Sequence, residues 1–548
     1  RFRRHSPHRL APPLRPVEGN MPMLPLALAA ALAGCAASSP SADGQTDEGV
    51  ELLVTSAGPP VPRTCYKAPG LPSYVDGAYL VAGPALFEIG GYKFQALFDG
   101  YGRMNRFELR DGQVCYTATW MNTGMYENAM KEGVPHGLLF EETVPPRPKC
   151  PVSNLMCNLM APNDNNWVNS IPVEGEVLML SDTPTMVRMD LESLNCSRKS
   201  WADDRKSRFG PPQPEWVSSL HEGTTGSAHP LLRPGTQTYV DIIVTMAELP
   251  VLTKPQVDVY TFDAAAVGPQ RRTKIATVKS DAMQYLHSFG VTPNYVVLPF
   301  NMKIALNPMH ATLMGSFEGH WKGIHIVDKK GDVQVFDTEP FYHVHIVNTF
   351  ENATGIVMDL GFYRDIPFMR NPTLDIGLFL NKTARDTSTM RSGIRRLHLH
   401  LAGPLKRKVT FEDLVPPGRL VDFFRINTAH NGLPYCIYYA TEWWHDDRNY
   451  ANMAIFKHDI CKGTKTYWSR LDTYVGEPCF IGNGASEDED DGVVVFVALD
   501  GRKRHSLFVT LDAKTFKELS AVELPGPIPF TAHGQFVPSG AGEARIYV

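Results

Sequence analysis

The chain has 548 residues, of which 43% are hydrophobic and 20% are charged, and its formal net charge is −5. This composition is typical of a globular protein with a large core. Because no large basic patch stands out, we expect no nucleic-acid partner. The nine cysteines are odd in number, irregularly spaced and without a CxxC pair, so the sequence supports neither a zinc site nor a disulfide scaffold.

The first 62 residues differ in character from the rest of the chain. Residues 1–20 are rich in arginine and proline and begin without methionine, which indicates an upstream extension or a fragment end. Residues 21–37 contain an apolar run of about ten residues, too short to span a membrane but the size of a signal-peptide core. This leader also resembles a bacterial lipoprotein box that would lipidate Cys35; a disordered alanine-rich leader is the alternative. We interpret residues 38–62 as a disordered linker.

Residues 63–548 form one long domain of short apolar runs separated by Gly, Pro, Asp or Asn. Typical runs are 79–81, 107–109, 177–180, 239–244, 257–260, 295–300, 324–327, 355–360, 493–499 and 507–511. Many short strands with turn residues between them, and few helices, indicate an all-β sandwich or propeller. Sandwiches are typically nearer about 100 residues, so the length favours a propeller, although no repeat period is visible.

Residues 145–160 interrupt this strand pattern. Their apolar side chains repeat with the spacing of one helical face, at Leu155, Met156, Leu159 and Met160. The first interpretation is a helix packed on the core. The alternative is an apolar patch, with Cys150 beside it, that contacts a membrane at the mouth of a tunnel.

Four of the 18 histidines have distinctive neighbours: His229, His287, His345 and His533. His287, alone between apolar residues, is typical of a core histidine with a satisfied hydrogen bond. However, His229, His287 and His345 are separated by two equal steps of 58 residues. A ring of propeller blades that each donate one inward ligand would produce equal steps.

Further motifs follow one another in order at 83–90, 97–100, 474–478 and 489–494. With these motifs and the four histidine segments, the chain resembles the carotenoid cleavage oxygenases over about residues 65 to 545. Residues 121–130 and 148–150 resemble the animal branch, in which the corresponding segment is thought to dock on membranes.

The resemblance implies a seven-bladed β-propeller with a loop and helix cap over an axial iron site. One Fe(II) per chain would be held by four neutral imidazoles, those of His229, His287, His345 and His533. His345 is preferred to His343 because the family ligand lies three residues before an asparagine, here Asn348. Because imidazoles carry no charge, carboxylates that accept the other ring N–H are expected around them.

The resemblance assigns these carboxylates to Glu477, Asp182 and Asp422. Glu477 matches the family, whereas the two aspartates stand where the family has glutamates. Each aspartate is one methylene shorter, so it must approach its histidine more closely or act through a bridging water. His343, His398 and His400 have no other ligand motif, and the last two share one strand face.

The implied activity is that of a dioxygenase, which cleaves a conjugated C=C bond of a carotenoid or apocarotenoid with O2 to give two carbonyl products. Its partners are then a hydrophobic polyene, O2 and, peripherally, a membrane. The alternatives are an iron-dependent isomerohydrolase of retinyl esters, within retinoid metabolism, and a non-catalytic carotenoid-binding propeller. We expect a secretory, organellar or lipid-anchored location if the leader is real, and otherwise a cytoplasmic protein with peripheral membrane association.

Overall fold

A computed structural model describes most of the chain in atomic detail. The described residues are 46–137, 139–142, 157, 163–173, 176–183, 185–199, 225–245, 254–264, 272–304, 317–366, 374–445, 450–484 and 488–539. Residues 45–548 form one compact unit. The predicted upstream extension, the leader and the membrane-contact residues Cys150, Leu155, Met156, Leu159 and Met160 lie outside the described residues.

Seven antiparallel sheets of four or five strands follow one another along the chain, as the strand pattern predicts. Their central strands are apolar along almost their whole length: Gly355–Tyr363 is buried at every position and Gly492–Asp500 at all but the last. Such strands bury both faces because a neighbouring blade packs on each side. The fold is a seven-bladed β-propeller, which confirms the predicted fold class.

The strands of the first four blades are as follows. Blade 1 contains Val61–Lys67, Gly77–Leu86, Tyr101–Arg110, Gln113–Trp120 and Gly534–Pro538. Blade 2 contains Asn169–Val173, Glu176–Leu180, Met186–Asp190 and Cys196–Lys199. Blade 3 contains Thr225–Gly226, Leu231–Leu232, Thr238–Thr245, Gln256–Asp263 and Thr273–Lys279. Blade 4 contains Gly290–Val291, Tyr295–Ile304, Phe317–Asp328 and Val333–Phe336.

The remaining three blades complete the ring. Blade 5 contains Ile346–Glu351, Gly355–Tyr363, Ser392–His400 and Val409–Arg419. Blade 6 contains Val421–Ile426, Ile437–Glu442, Ala454–Asp459 and Thr464–Trp468. Blade 7 contains Thr473–Val475, Cys479–Gly482, Gly492–Asp500, His505–Asp512 and Glu518–Glu523. A two-stranded hairpin, Glu88–Ile89 with Tyr92–Lys93, stands apart from the blades.

The ring is closed by the last strand of the chain. Gly534–Pro538 pairs antiparallel with Gly77–Leu86 of blade 1, in a register that sets Val81 opposite Gly534. The innermost strands of most successive blades contact one another around the axis. Because a strand from each end of the sequence shares one sheet, residues at the start of Gly534–Pro538 are held at the axis beside residues from the middle of the chain.

Six short helices occur in the connections of the described chain. The α-helices are Gly124–Glu132, Ile376–Leu380 and Lys382–Asp386, and the 3-10 helices are Val50–Val54, Leu97–Asp99 and Thr428–His430. None of the described helices has both the length and the apolar content that crossing a membrane requires. The predicted cap over the iron site stays a prediction, because much of the connection after Gly124–Glu132 lies outside the described residues.

The linker predicted for residues 38–62 is wrong from residue 46 onward. Residues 50–54 form a 3-10 helix, and Val50, Leu52, Leu53 and Val54 are buried in the core. The carbonyl of Leu53 accepts a hydrogen bond from the Phe530 backbone N–H at 2.9 Å. The sequence VELLV explains this burial, because four of its five side chains are apolar and their transfer out of water stabilises the fold. The compact unit therefore begins before the predicted domain boundary at residue 63.

The expectation that the cysteines form no disulfide scaffold is also wrong. Disulfides join Cys65 to Cys115 and Cys436 to Cys461. Cys65 and Cys115 lie directly opposite each other on neighbouring strands of blade 1. Spacing along the chain gives no sign of these pairs because strand pairing, and not sequence distance, brings the cysteines together.

Candidate metal centre

The structure brings the four histidines singled out by the sequence to one point on the propeller axis. Each lies where the innermost strand of a blade begins or bends: His229 in blade 3, His287 in blade 4, His345 in blade 5 and His533 in blade 1. One ligand atom from each lies within 4.8 Å of those from the other three. His287, His345 and His533 are buried.

The spacing of the imidazole nitrogens fits one bound metal ion. The Nε2 atoms of His229 and His287 are 3.0 Å apart, and those of His287 and His345 are 3.1 Å apart. Two imidazole nitrogens at about 2.1 Å from one ion, and at right angles, are separated by about 3.0 Å. The site therefore has room for a first-row metal ion between the rings.

Carboxylates accept hydrogen bonds from the Nδ1 atoms of three of the four imidazoles. Asp182 Oδ2 lies 2.8 Å from His287 Nδ1, Asp422 Oδ1 lies 2.7 Å from His345 Nδ1, and Glu477 Oε1 lies 2.7 Å from His533 Nδ1. These three carboxylates come from blades 2, 6 and 7, the blades that provide no histidine. Both aspartates reach their histidines directly, so of the two arrangements expected for them, direct contact is observed.

A tyrosine hydroxyl is a second donor to each of the two aspartates. The Tyr285 hydroxyl donates to Asp182 Oδ2 at 2.7 Å, and the Tyr363 hydroxyl donates to Asp422 Oδ2 at 2.5 Å. Burial, followed by the adjacent aspartate, raises the pKa of each phenol well above 10, which keeps both hydroxyls protonated as donors.

Glu477 has a cationic donor instead. Arg425 Nη2 donates to Glu477 Oε2 at 2.8 Å, and the Gly534 backbone N–H donates to the same oxygen at 2.9 Å. Burial raises the pKa of Glu477, and Arg425 opposes that rise.

A β-bulge between Asp422 and Arg425 adds one residue to the strand. The bulge lets Asp422 contact His345 while Arg425, three positions later, contacts Glu477, the partner of His533.

Sequence reasoning missed Tyr285, Tyr363 and Arg425. Tyr285 lies two residues before His287, and the spacing of two that aligns side chains in extended chain could have indicated it. Tyr363 lies 59 residues before Asp422, and no sequence pattern connects them.

The hydrogen-bond pattern is itself a reason to infer a cation. Because three carboxylates accept from Nδ1–H, the Nε2 atoms of those three rings carry lone pairs that converge on one point. Three carboxylates and the Arg425 guanidinium leave a net charge of minus two around them. A divalent ion would neutralise that charge and satisfy the lone pairs together. The residues therefore fit a divalent metal ion.

His229 differs from the other three because its Nδ1 faces an amide. Asn169 Nδ2 lies 3.5 Å from that atom and donates to the Ala228 carbonyl at 2.9 Å. Burial, with the neighbouring histidines as the next cause, lowers the pKa of His229 and of His533 well below 6.5. Both rings are therefore neutral, which is the form that binds a metal.

The other histidines considered in the sequence lie outside the cluster. His343 is buried, with Nδ1 2.7 Å from Asn301 Nδ2 and Nε2 3.2 Å from the Ser288 carbonyl. His398 and His400 stack on one face of their strand with ring centroids 6.3 Å apart. Asn348 Nδ2 donates to the carbonyls of His430 and Leu433 at the inner edge of blade 5.

An aromatic cavity of about 100 Å³ adjoins the histidines. His287, His345 and His533 form part of its wall, and its aromatic lining consists of Phe98, Phe140, Trp167, Tyr285, Phe423 and Phe530. Phe423 has a φ of 57°, which is uncommon for a bulky residue. This backbone lies within the bulge of blade 6 and sets the ring 5.4 Å from the His345 ring and 5.2 Å from the His533 ring.

The family model described as retinal pigment epithelial membrane protein matches residues 60–538. The carotenoid isomerooxygenase of Galleria mellonella is 24% identical over 85% of this chain and 92% of its own length. The beta,beta-carotene 15,15'-dioxygenase of Rattus norvegicus is 25% identical over 86% and 89%.

A solved structure resembles the fold closely. A glutamate-to-aspartate mutant of the Synechocystis apocarotenoid oxygenase superposes with a TM-score of 0.72 at 20% identity, over 90% of this chain and 99% of that one. At this level of identity the likeness establishes a common fold.

Proposed function

Because this chain belongs to the retinal pigment epithelial membrane protein family, the family of the carotenoid oxygenases, we propose that it is a carotenoid or apocarotenoid dioxygenase. In the proposed reaction one C=C bond and the O=O bond break, and two C=O bonds form. Each oxygen atom of O2 enters one of the two carbonyl products, so no further reductant or proton source is needed.

One observation carries this proposal: four imidazole Nε2 atoms converge beside an aromatic cavity, with three carboxylates fixing the rings. We propose iron(II), one per chain, as the ion, held by His229, His287, His345 and His533. An all-imidazole donor set suits iron among other first-row metals, and four protein ligands leave positions open on an octahedral ion. Bound iron(II) supplies the O2 chemistry.

The residues of the cavity bind and position the substrate in the proposed reaction. Phe98, Phe140, Trp167 and Phe530 offer flat apolar surfaces between which a rigid conjugated chain can stack. Such a lining keeps water from the reacting bond and fixes one bond of the polyene beside the metal. Asp182, Asp422 and Glu477 keep the proton of their imidazoles on Nδ1, so that Nε2 faces the ion.

Peripheral membrane contact and the compartment are further parts of the proposal. Carotenoids dissolve in membranes, so a mouth near Cys150, Leu155, Met156, Leu159 and Met160 would collect substrate there. Secretory, organellar or lipid-anchored placement follows if residues 21–37 act as a leader.

The test is product analysis on purified, iron-loaded protein. We expect a carotenoid or apocarotenal, incubated with 18O2, to give two carbonyl fragments, each labelled with one oxygen atom in mass spectrometry. A retinyl ester is run in parallel, and a free isomerised alcohol from it would support the isomerohydrolase instead.

Two variants serve as controls. His287→Ala removes a ligand from the cluster and should abolish both bound iron and cleavage. His400→Ala removes a half-exposed histidine outside the cluster and should leave both unchanged. A wild-type protein that binds a polyene but contains no metal, and behaves like His287→Ala, would contradict the enzyme proposal and favour a binding propeller.

A further inference from the structure

The oxidation state of the cysteines carries an inference that is independent of the proposed activity. Among the described residues there are seven cysteines, and five of them, Cys65, Cys115, Cys157, Cys436 and Cys461, are disulfide-bonded. Only Cys196 and Cys479 are free in the part of the chain that the structure describes. Disulfides form and persist in oxidising compartments and are rare where glutathione and thioredoxin keep thiols reduced.

Of the two fully described disulfides, one lies on an edge strand of blade 1 and the other at the ends of the two central strands of blade 6. Cys65 is exposed on the outermost strand of blade 1, and its bond to Cys115 crosses to the neighbouring strand. Cys436 and Cys461 flank the paired strands Ile437–Glu442 and Ala454–Asp459, and the Ile460 N–H donates to the Cys436 carbonyl at 2.8 Å. Because strand pairing juxtaposes each pair, oxidation requires no rearrangement of the fold.

Two Asn-x-Thr sequons consist of exposed residues in the connections of blade 5. The first, Asn352-Ala353-Thr354, forms the turn between the first two strands of blade 5, and all three residues are exposed. Asn352 Oδ1 accepts hydrogen bonds from the Thr354 hydroxyl and the Gly355 N–H, both at 2.9 Å. These bonds engage the oxygen of the amide, whereas a glycan is attached at its nitrogen.

The second sequon, Asn381-Lys382-Thr383, has the same character. Its three residues are exposed at the junction of the helices Ile376–Leu380 and Lys382–Asp386. Asn381 caps the second helix, with Oδ1 accepting from the Ala384 N–H at 3.2 Å. Again the amide oxygen is engaged within the fold and the residue faces solvent.

We propose that this chain folds in an oxidising compartment of the secretory pathway and carries N-linked glycans on Asn352 and Asn381. In each glycosylation the Asn Nδ2 loses a proton and bonds to the first sugar of a lipid-linked oligosaccharide, which releases the lipid pyrophosphate carrier. In each disulfide two thiols lose two electrons and two protons to a protein disulfide oxidant of that compartment.

The glycan on Asn352 is compatible with the metal centre. His345 precedes the strand Ile346–Glu351, and Asn352 follows it. Six residues of strand at about 3.3 Å each separate the two ends by about 20 Å. A glycan there extends from the far end of the blade, so we expect enzymatic removal of the glycan to leave metal content unchanged.

The test uses the full chain and the chain from Met21, each expressed in cultured eukaryotic cells without a foreign signal sequence. We expect a mobility shift on treatment with peptide N-glycosidase in at least one of them. Asn352→Gln and Thr354→Ala should each remove one glycan, whereas Thr354→Ser keeps both the sequon and the glycan. Thr383→Ala and Thr383→Ser form the same matched pair for Asn381.

The oxidation state of the cysteines is measured on the same two expressed proteins. Alkylation before reduction, followed by peptide mapping, should leave Cys65 and Cys436 unlabelled and recover the linked Cys65–Cys115 peptide. The proposal requires both results. Absence of glycan from both sequons in both chains, or thiols at Cys65 and Cys436 that alkylate without reduction, overturns it, and neither outcome bears on the dioxygenase proposal.

Discussion

The hydrogen bonds of Asp422 give the sharpest quantitative prediction. Asp422 accepts from His345 Nδ1 at 2.7 Å and from the Tyr363 hydroxyl at 2.5 Å, and it is buried. Asp422→Asn keeps the shape of the side chain but removes its charge. Hydrogen bonds to a charged group contribute about 1.5–3 kcal/mol, against about 0.5–1.5 kcal/mol for neutral pairs.

Of the two bonds, the one to the metal-binding ring of His345 bears on the ion, and losing about 1.4 kcal/mol from it weakens metal binding about 10-fold in Kd. That value lies within the range of about 10–100-fold expected when a partner of a metal ligand is removed. The assay is anaerobic iron(II) binding against a competing chelator, together with the rise in Tm on adding metal, which follows from the affinity for the folded state.

Asp359→Asn is the matched control. Asp359 is buried, accepts from the Tyr435 hydroxyl at 2.6 Å and pairs with Arg396 at 2.8 Å, but it contacts none of the four clustered histidines. Both substitutions should destabilise the protein, and only Asp422→Asn should weaken metal binding. A Kd for Asp422→Asn within twofold of the wild-type value would refute the assigned role of this carboxylate.

Three further predictions concern the same centre. Tyr363→Phe leaves Asp422 Oδ2 buried without its phenol donor, so we expect a loss of about 1–3 kcal/mol in the free energy of unfolding, measured in urea, and an unchanged value would contradict that bond. His229 and His533 have folded-state pKa values well below 6.5, so the unfolded chain binds more protons than the folded chain below about pH 6.5. The unfolding free energy of the metal-free protein should therefore decrease as the pH is lowered from about 7.5 to about 5.5. A flat profile would show that these rings are not neutral in the folded protein. Phe530→Ala removes a ring from the cavity wall and should raise KM for the polyene more than it lowers metal content; equal loss of both would indicate general unfolding.

Replacing glutamate by aspartate at two of three positions is accommodated by the chain around the site. The shorter side chains at 182 and 422 contact their histidines directly, and each carboxylate is held by a phenol from the strand region beside its histidine. The longer Glu477 is held by Arg425 and a backbone N–H. We infer that side-chain length and donor type are matched at each position, so exchanging Asp for Glu alone would displace the tyrosine.

The sequence by itself predicted the strands, because they depend on local patterns, and the four histidines of the cluster followed from their motifs through the family resemblance. A run such as 493–499 is apolar and β-branched wherever it lies in the fold, and the segments around His287 and His345 carry their motifs within a few residues. The carboxylates at 182, 422 and 477 followed from the resemblance, which also implied seven blades.

Only the tertiary structure decided which side chains meet. Tyr363 of blade 5 contacts Asp422 of the neighbouring blade 6, and Cys65 lies opposite Cys115 on a paired strand. Residues 50–54 pack into the core where a linker was predicted. These contacts arise from strand pairing within a blade, from packing between neighbouring blades and from the closure of the ring by the last strand. Partners separated by dozens of residues are set by that closure and by strand register, and neither is encoded in the local periodicity of the sequence.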